Sequence, residues 1–385
     1  MRKEDFRAGV VAGWTGEFID GILHAKRIQS LSDAVLGALN ASSLAVSCIG
    51  HAMAEAHGLN TRHATKQIDR LLSNPGIDLA KLFTPWVRKA VGDRLKIDVA
   101  MDWTDFDADD QSTIVLSLIT GQGRALPLIW LTVYKAELAG RRDEFEDTCL
   151  SKLSEALPEG VHATIVADRG FADVRLMALL SDMGMDYVIR FRADTFVSAA
   201  DGETKKAAEW VGAGGRARKL VGAGLTRHVF KVGAGVFVKA KGMKDSWCLA
   251  ASDGALSGRQ VIDLYASRWS IETNFRDTKD IRFGMGLAEL RISDPMRRDR
   301  LLFISAMATM LITLLGQAGE MVGMDKTLRT STTKRRTHSL FRQGLMLFGL
   351  IPNMPEHRLK TLIGRFEELI NQDSLLVAAL AYAEK

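Results

Sequence analysis

The chain has 385 residues, enough for two or three domains. With 47% hydrophobic and 25% charged residues, it excludes disorder over most of its length, a collagen-like fibre and a disulfide-dense scaffold. The net charge of +5 says little as a total, but it is unevenly spread. Residues 1–89 read as a helical domain. Ser30–Leu39 and Ser42–Ala56 carry apolar residues at helical spacing, with Ser42 or Ser43 placed to cap the second. His57-Gly58-Leu59-Asn60 breaks the pattern, and Thr61–Leu72 resumes it with Arg62, His63, Lys66, Gln67 and Arg70 on or near one side. A helix, a short glycine turn and a basic helix outline a DNA-binding helix-turn-helix, in which Arg62, Lys66 and Arg70 would meet DNA. Pro75-Gly76 and Pro85 mark the exit from this domain.

The period changes after residue 90. Leu95–Trp103, Thr113–Thr120 and Ala125–Val133 are apolar runs of strand length separated by Asp-rich or Gly-rich turns. A charged helix over Arg141–Leu157 follows, then a strand at Ala163–Ala167, a helix over Ala172–Met183 and a strand at Asp186–Phe191. The order β-β-β-α-β-α-β is that of a ribonuclease-H-like α/β domain, a meander followed by parallel strands with crossover helices. Residues 193–250 read as a β-rich insertion with strands at Arg227–Val232, Gly235–Ala240 and Ser246–Ala251. Within Gly202–Lys244 ten Lys or Arg stand against Glu203 and Glu209. The ribonuclease-H-like domain thus covers 90–192 and 251–322, and 323–385 forms a helical C-terminal region. A second basic cluster comprises Lys326, Arg329, Lys334, Arg335 and Arg336, while acids crowd Asp98–Asp110. Acids between basic flanks suit a protein that holds a polyanion around a metal; solvated faces would look the same.

Asp102 lies at the end of the first predicted strand and Asp168 just past the end of the fourth, in Ala-Asp-Arg-Gly-Phe. Those strands are neighbours in a ribonuclease-H-like sheet, so the two carboxylates would lie side by side as hard ligands for Mg²⁺. A strand-end Asp is also a common turn or helix cap, and Asp105 or Asp107 would serve as well as Asp102. A third acid, Glu272, falls on the predicted helix Tyr265–Lys279, where Arg268, Glu272 and Lys279 share a face and Tyr265 lies one turn earlier. One acid among groups that grip phosphates suits a helix facing a DNA backbone.

The pattern Tyr265-x-x-Arg268-x-x-x-Glu272-x-x-x-x-x-x-Lys279 resembles the signature of bacterial cut-and-paste transposases of insertion-sequence family four, within the DDE superfamily. Asp102 in Asp-Trp-Thr and Asp168 in Asp-Arg-Gly-Phe resemble the contexts of that family's first two acids. The interval from Asp168 to Glu272 has room for the family's β-rich insertion, and the resemblance covers roughly residues 24–350. It implies that Asp102, Asp168 and Glu272 are catalytic and bind two Mg²⁺ ions, with Mn²⁺ able to substitute. One ion would activate water or a DNA 3′-hydroxyl and the other would stabilise the leaving oxygen. Tyr265, Arg268 and Lys279 would hold phosphates, and Trp247 and Trp269 would stack a base flipped out while a DNA hairpin forms. Core packing is the plainer role for both tryptophans. The implied partners are double-stranded DNA, as terminal inverted repeats and target, and a second copy of the chain bound on paired ends through the C-terminal region. A nuclease without strand transfer and a domesticated DNA-binding relic are the rival functions.

The remaining signals are bland. The eight histidines form no zinc motif, and the Gly-Ala-Gly segments read as hairpin turns rather than phosphate loops. Trp14, Trp86 and Trp210 read as packing residues. Cys48, Cys149 and Cys248 are far apart, as in a reducing compartment. Met1–Arg7 leads into no long apolar run, and the most apolar stretch, Leu301–Leu315, is shorter than a bilayer crossing. Together these predict a soluble cytoplasmic protein with Leu301–Leu315 as a buried helix; the resemblance implies that it is bacterial and associated with the nucleoid.

Overall fold

The computed structural model describes residues 3–371, apart from 283, 331, 334 and 335. The chain opens with α1 (Lys3–Ile19), α2 (Ala25–Ala41), α3 (Val46–His57), α4 (Thr61–Ser73) and α5 (Leu79–Val91). Ser42 does not start α3. It closes α2 in the left-handed conformation (φ 48°), and the Ser43 hydroxyl accepts the Ala45 N–H at the entrance to α3. Gly58 (φ 63°) ends α3, and the Asn60 side chain accepts the Arg62 and His63 N–H groups to cap α4. At Gly50 the two helices cross so closely that a Cβ would meet the Thr65 hydroxyl at 2.5 Å. Pro85 lies inside α5, not at a domain exit. The hydrogen bond it removes is offset by burial of Leu82, Phe83, Trp86 and Val87.

The strands follow as β1 (Lys96–Phe106), β2 (Gln111–Ile119) and β3 (Ala125–Tyr134), then α6 (Arg142–Ala156), β4 (His162–Ala167), α7 (Val174–Asp182) and β5 (Asp186–Phe191). Segment 193–250 contributes β6 (Phe196–Ser198), β7 (Thr204–Lys206), β8 (Arg218–Val221), β9 (Gly224–Leu225), β10 (Phe230–Lys231) and β11 (Ala234–Val238), and β12 (Trp247–Ala251) crosses its end. The large sheet has the order β3-β2-β1-β4-β5-β12-β11-β8. β4 runs parallel to both β1 and β5; the other neighbours are antiparallel. A meander leading into parallel strands, with helices on both faces, fits a ribonuclease-H-like fold. Three strands of the 193–251 stretch extend this sheet from β5, while β6, β7, β9 and β10 form a small second sheet.

The last helices are α8 (Gly258–Ser267), α9 (Trp269–Lys279), α10 (Pro295–Met321), α11 (Leu340–Leu350) and α12 (Glu356–Asn371). α8 and α9 cover one face of the large sheet, over Ala100, Val166, Val188 and Leu249. The other face joins the main core with α5, α6 and α10. α10 is long and apolar enough to cross a membrane, yet 78% of its most apolar stretch is buried inside the molecule. Its Arg298, Asp299 and Arg300 are buried as well. Trp14, Trp86 and Trp210 are all core residues. Lys334 and Arg335 of the second basic cluster, and the tail beyond 371, lie outside the described residues.

Candidate active site

β1 runs past its predicted end because the hairpin with β2 continues to Phe106. Asp102 therefore sits within the strand, opposite Val115. On its other side the ladder with β4 stops at the pair Met101 and Ala167, so Asp168 is the next residue on the neighbouring strand. Asp168 leaves the sheet there, and its carboxylate accepts the Gly170 N–H at 2.7 Å. The turn role open to any strand-end Asp is thus real here, and it coexists with the position beside Asp102.

The predicted single helix Tyr265–Lys279 is two helices joined at Arg268. Tightened i→i−3 hydrogen bonds, Arg268 N–H to Tyr265 and Ile271 N–H to Arg268, mark the joint. Arg268, Glu272 and Lys279 do share a face, and it looks onto β1. The Arg268 guanidinium bonds Asp102 Oδ2 and Glu272 Oε1, each at 3.0 Å. Lys279 Nζ bonds the Thr104 hydroxyl at 3.0 Å and the Asp105 carbonyl, and lies 4.4 Å from the Phe106 ring centroid. Lys279 thereby ties α9 to β1. Tyr265 is buried, edge-on to Trp247 with ring centroids 4.8 Å apart. Trp269 is 62% exposed, so core packing does not account for it. Asp105 and Asp107 turn toward Lys135.

Burial pushes the Asp102 carboxyl up to about 6, and repulsion from Asp168 and Glu272 adds to this. Arg268 and the Trp103 N–H act in the opposite direction. Asp168 and Glu272 are therefore both within electrostatic reach of Asp102, and as all-oxygen donors the three suit a hard divalent cation. As placed, with Arg268 between Asp102 and Glu272, no group of three His, Cys, Asp or Glu among the described residues converges as a metal site. The donor chemistry fits such an ion; a site made by all three acids requires the Arg268 side chain to give way.

Sequence reasoning missed two features. An open cleft of about 700 Å³ beside Asp168 is lined by Arg169, Arg190, Arg192 and Lys239, together with Asp194 and Asp245. Only Lys239 belonged to a visible basic run; the others converge because β4, β5 and β11 end at one edge. The second feature is a buried carboxylate, Glu146 on α6, bonded to the Trp103 indole N–H at 2.9 Å. Its only sequence signal is the spacing of Arg142 and Glu146. In the helical domain, Arg62, Lys66 and Arg70 are exposed on α4, opposite buried Ala64, Ile68 and Leu72.

A large sheet with a meander leading into parallel strands, helices on both faces, and Asp102 and Asp168 just past the last paired residues of two adjacent strands, fits the ribonuclease-H-like class. The family model for the transposase DDE domain matches residues 98–311, more than half of the chain, and the chain belongs to that family. No curated protein matches it. The match begins ahead of Asp102 and ends in α10, so it spans all three acids.

Proposed function

We propose that this transposase is of the insertion-sequence family-four type. It binds the inverted terminal repeats of its own element, cleaves both strands through a hairpin intermediate and joins the 3′ ends to target DNA. The observation that carries this reading is the position of Asp102 and Asp168 just past the last paired residues of β1 and β4, with Glu272 within electrostatic reach of Asp102, in a chain of the DDE family. These acids would hold Mg²⁺, two ions per site with Mn²⁺ able to substitute, and the bound ions supply Lewis-acid activation of the attacking and leaving oxygens.

The chain's own residues then have separable tasks. Asp102 presents its carboxylate from β1 and Asp168 from the turn that follows β4, and α9 carries Glu272. Arg268 keeps its buried Nε without a hydrogen-bond partner among the described residues, which supports a further acceptor such as a DNA phosphate. Exposed Trp269 suits stacking on a flipped base, whereas Trp247 would have to leave Tyr265 to do so. Lys279 would reach a phosphate only by exchanging Thr104 and the Asp105 carbonyl for it, and Tyr265 would offer its hydroxyl. Arg62, Lys66 and Arg70 on α4 would bind the repeat DNA. The protein would act as a homodimer on paired DNA ends in the bacterial cytoplasm.

The test mixes full-length protein, Mg²⁺ and a linear duplex carrying the DNA that flanks its gene, resolved on a denaturing gel. A nick at the repeat boundary followed by a double-length hairpin strand, both absent with Asp168→Ala, is the expected result. Cleavage without hairpin or joining would replace transposition by nuclease action. Binding without any cleavage would replace it by a DNA-binding relic.

A further inference from the structure

Backbone pairing between β1 and β4 stops one residue before both Asp102 and Asp168. Beyond that point β1 has β2 as its one strand partner, with Arg268 and Lys279 of the α8–α9 segment bonded to it from the Glu272 face, while the chain at Asp168 turns out of the sheet. Keeping the two carboxylates at one spacing requires a second connection between these segments. The sheet face opposite Glu272 provides one. Trp103, the residue after Asp102, packs on that face, and its indole N–H donates to Glu146 Oε1. Arg142, one turn earlier on α6, donates its Nε–H to the same oxygen at 3.2 Å. Its guanidinium carbon lies 5.1 Å from the Trp103 ring centroid and 5.8 Å from that of Phe171. Phe171 is the buried end of the Asp168-Arg-Gly-Phe turn.

One guanidinium therefore spans the ring that follows the first acid and the ring that ends the turn bearing the second. Glu146 is only 7% exposed, and an apolar side chain there would avoid the desolvation of a carboxylate. What the carboxylate adds is direction: a single oxygen fixes both the indole and the guanidinium. Arg175 of α7 bonds Asp147 on α6 at 2.7 Å, which holds the far side of the same turn to the same helix.

We infer that Arg142 and Glu146 are positioning residues that set the spacing of Asp102 and Asp168, and through it the affinity of the site for a divalent ion. This rests on the reading of those acids as the metal-holding pair.

The experiment is calorimetric titration of the DNA-free, full-length protein with Mn²⁺, well below its melting temperature, with DNA affinity and thermal melting measured in parallel. Wild type should bind Mn²⁺ and Asp168→Ala should not. Arg142→Ala should weaken Mn²⁺ binding by about tenfold, the range typical for partners that orient metal ligands, while leaving DNA affinity unchanged. Glu146→Gln keeps an oxygen for the indole N–H and should stay within about twofold of wild type, whereas Glu146→Leu should match Arg142→Ala. Trp103→Phe keeps an aromatic ring for Arg142 while removing the N–H donor and part of the ring system, so it carries the same test if Arg142→Ala fails to fold. Wild-type Mn²⁺ affinity in folded Arg142→Ala or Trp103→Phe, with only the melting temperature lowered, would overturn the inference and leave a merely stabilising contact. Absence of Mn²⁺ binding in wild type would overturn the metal reading of the acids, and this inference with it.

Discussion

Asp299, on α10 beneath the sheet, is a buried carboxylate whose oxygens accept the Thr132 N–H at 3.0 and 3.3 Å. Burial pushes it up to about 7, although the hydrogen bonds from Thr132 oppose the shift. Its folded pKa thus lies above the unfolded one, so the native state holds the proton more tightly. The stability this contributes is complete below about pH 4 and is lost as pH rises to about 7. Asp299→Asn keeps an oxygen for Thr132 and carries no titrating proton. It should melt close to wild type at pH 4 and above wild type at pH 8, read from melting curves across that range. A constant difference at all pH values would show that Asp299 does not titrate there. Asp186 is the contrasting case. Burial pushes it up, but hydrogen bonds from Ser252 and His162 outweigh this and hold it below the usual carboxylate range.

Among the helices, α10 and α11 approach each other unusually closely. A Cβ on Gly344 would meet the Ile312 carbonyl at 1.9 Å, and one on Gly316 the Leu340 carbonyl at 2.0 Å. Both obstacles are backbone atoms, so neither can yield by a side-chain rotation. Gly344→Ala should therefore destabilise the protein by about 1–3 kcal/mol or more, against a small gain expected for alanine in an unpacked helix. Urea unfolding would measure it, and unchanged stability would mean that the helices can separate freely. The break between α8 and α9 shows what helical spacing could and could not convey. Period alone put Arg268, Glu272 and Lys279 on one side. It did not reveal the kink, because the kink accompanies an Arg268 side chain held by Asp102 and Glu272, and Asp102 is remote in sequence. Pro85 is a similar case: a local breaker is overruled by burial of the helix around it.

For the protein acting on DNA, charge placement matters more than the total of +5. Arg62, Lys66 and Arg70 lie in a row along α4, and Arg169, Arg190, Arg192 and Lys239 line the cleft beside Asp168 together with Asp194 and Asp245. If the α4 row meets phosphates, replacing all three by alanine should weaken binding to a repeat-bearing duplex. It should also reduce the slope of log affinity against log salt by about 0.9 for each phosphate that is no longer neutralised. An unchanged slope in filter-binding or fluorescence titrations would remove α4 from the interface. The strands from β1 to β5, the helices of the first ninety residues and the buried character of Leu301–Leu315 were legible in the chain, because alternation, helical period and turn residues act over a few neighbouring positions. Other features depended on segments that meet only after folding. These include the joining of β8, β11 and β12 to the main sheet, Lys279 turned onto β1, Arg268 held between two acids, and the grip of Arg142 and Glu146 on Trp103. Such choices are settled by competition among distant partners for burial and hydrogen bonds, and no local window of sequence contains both sides of that competition.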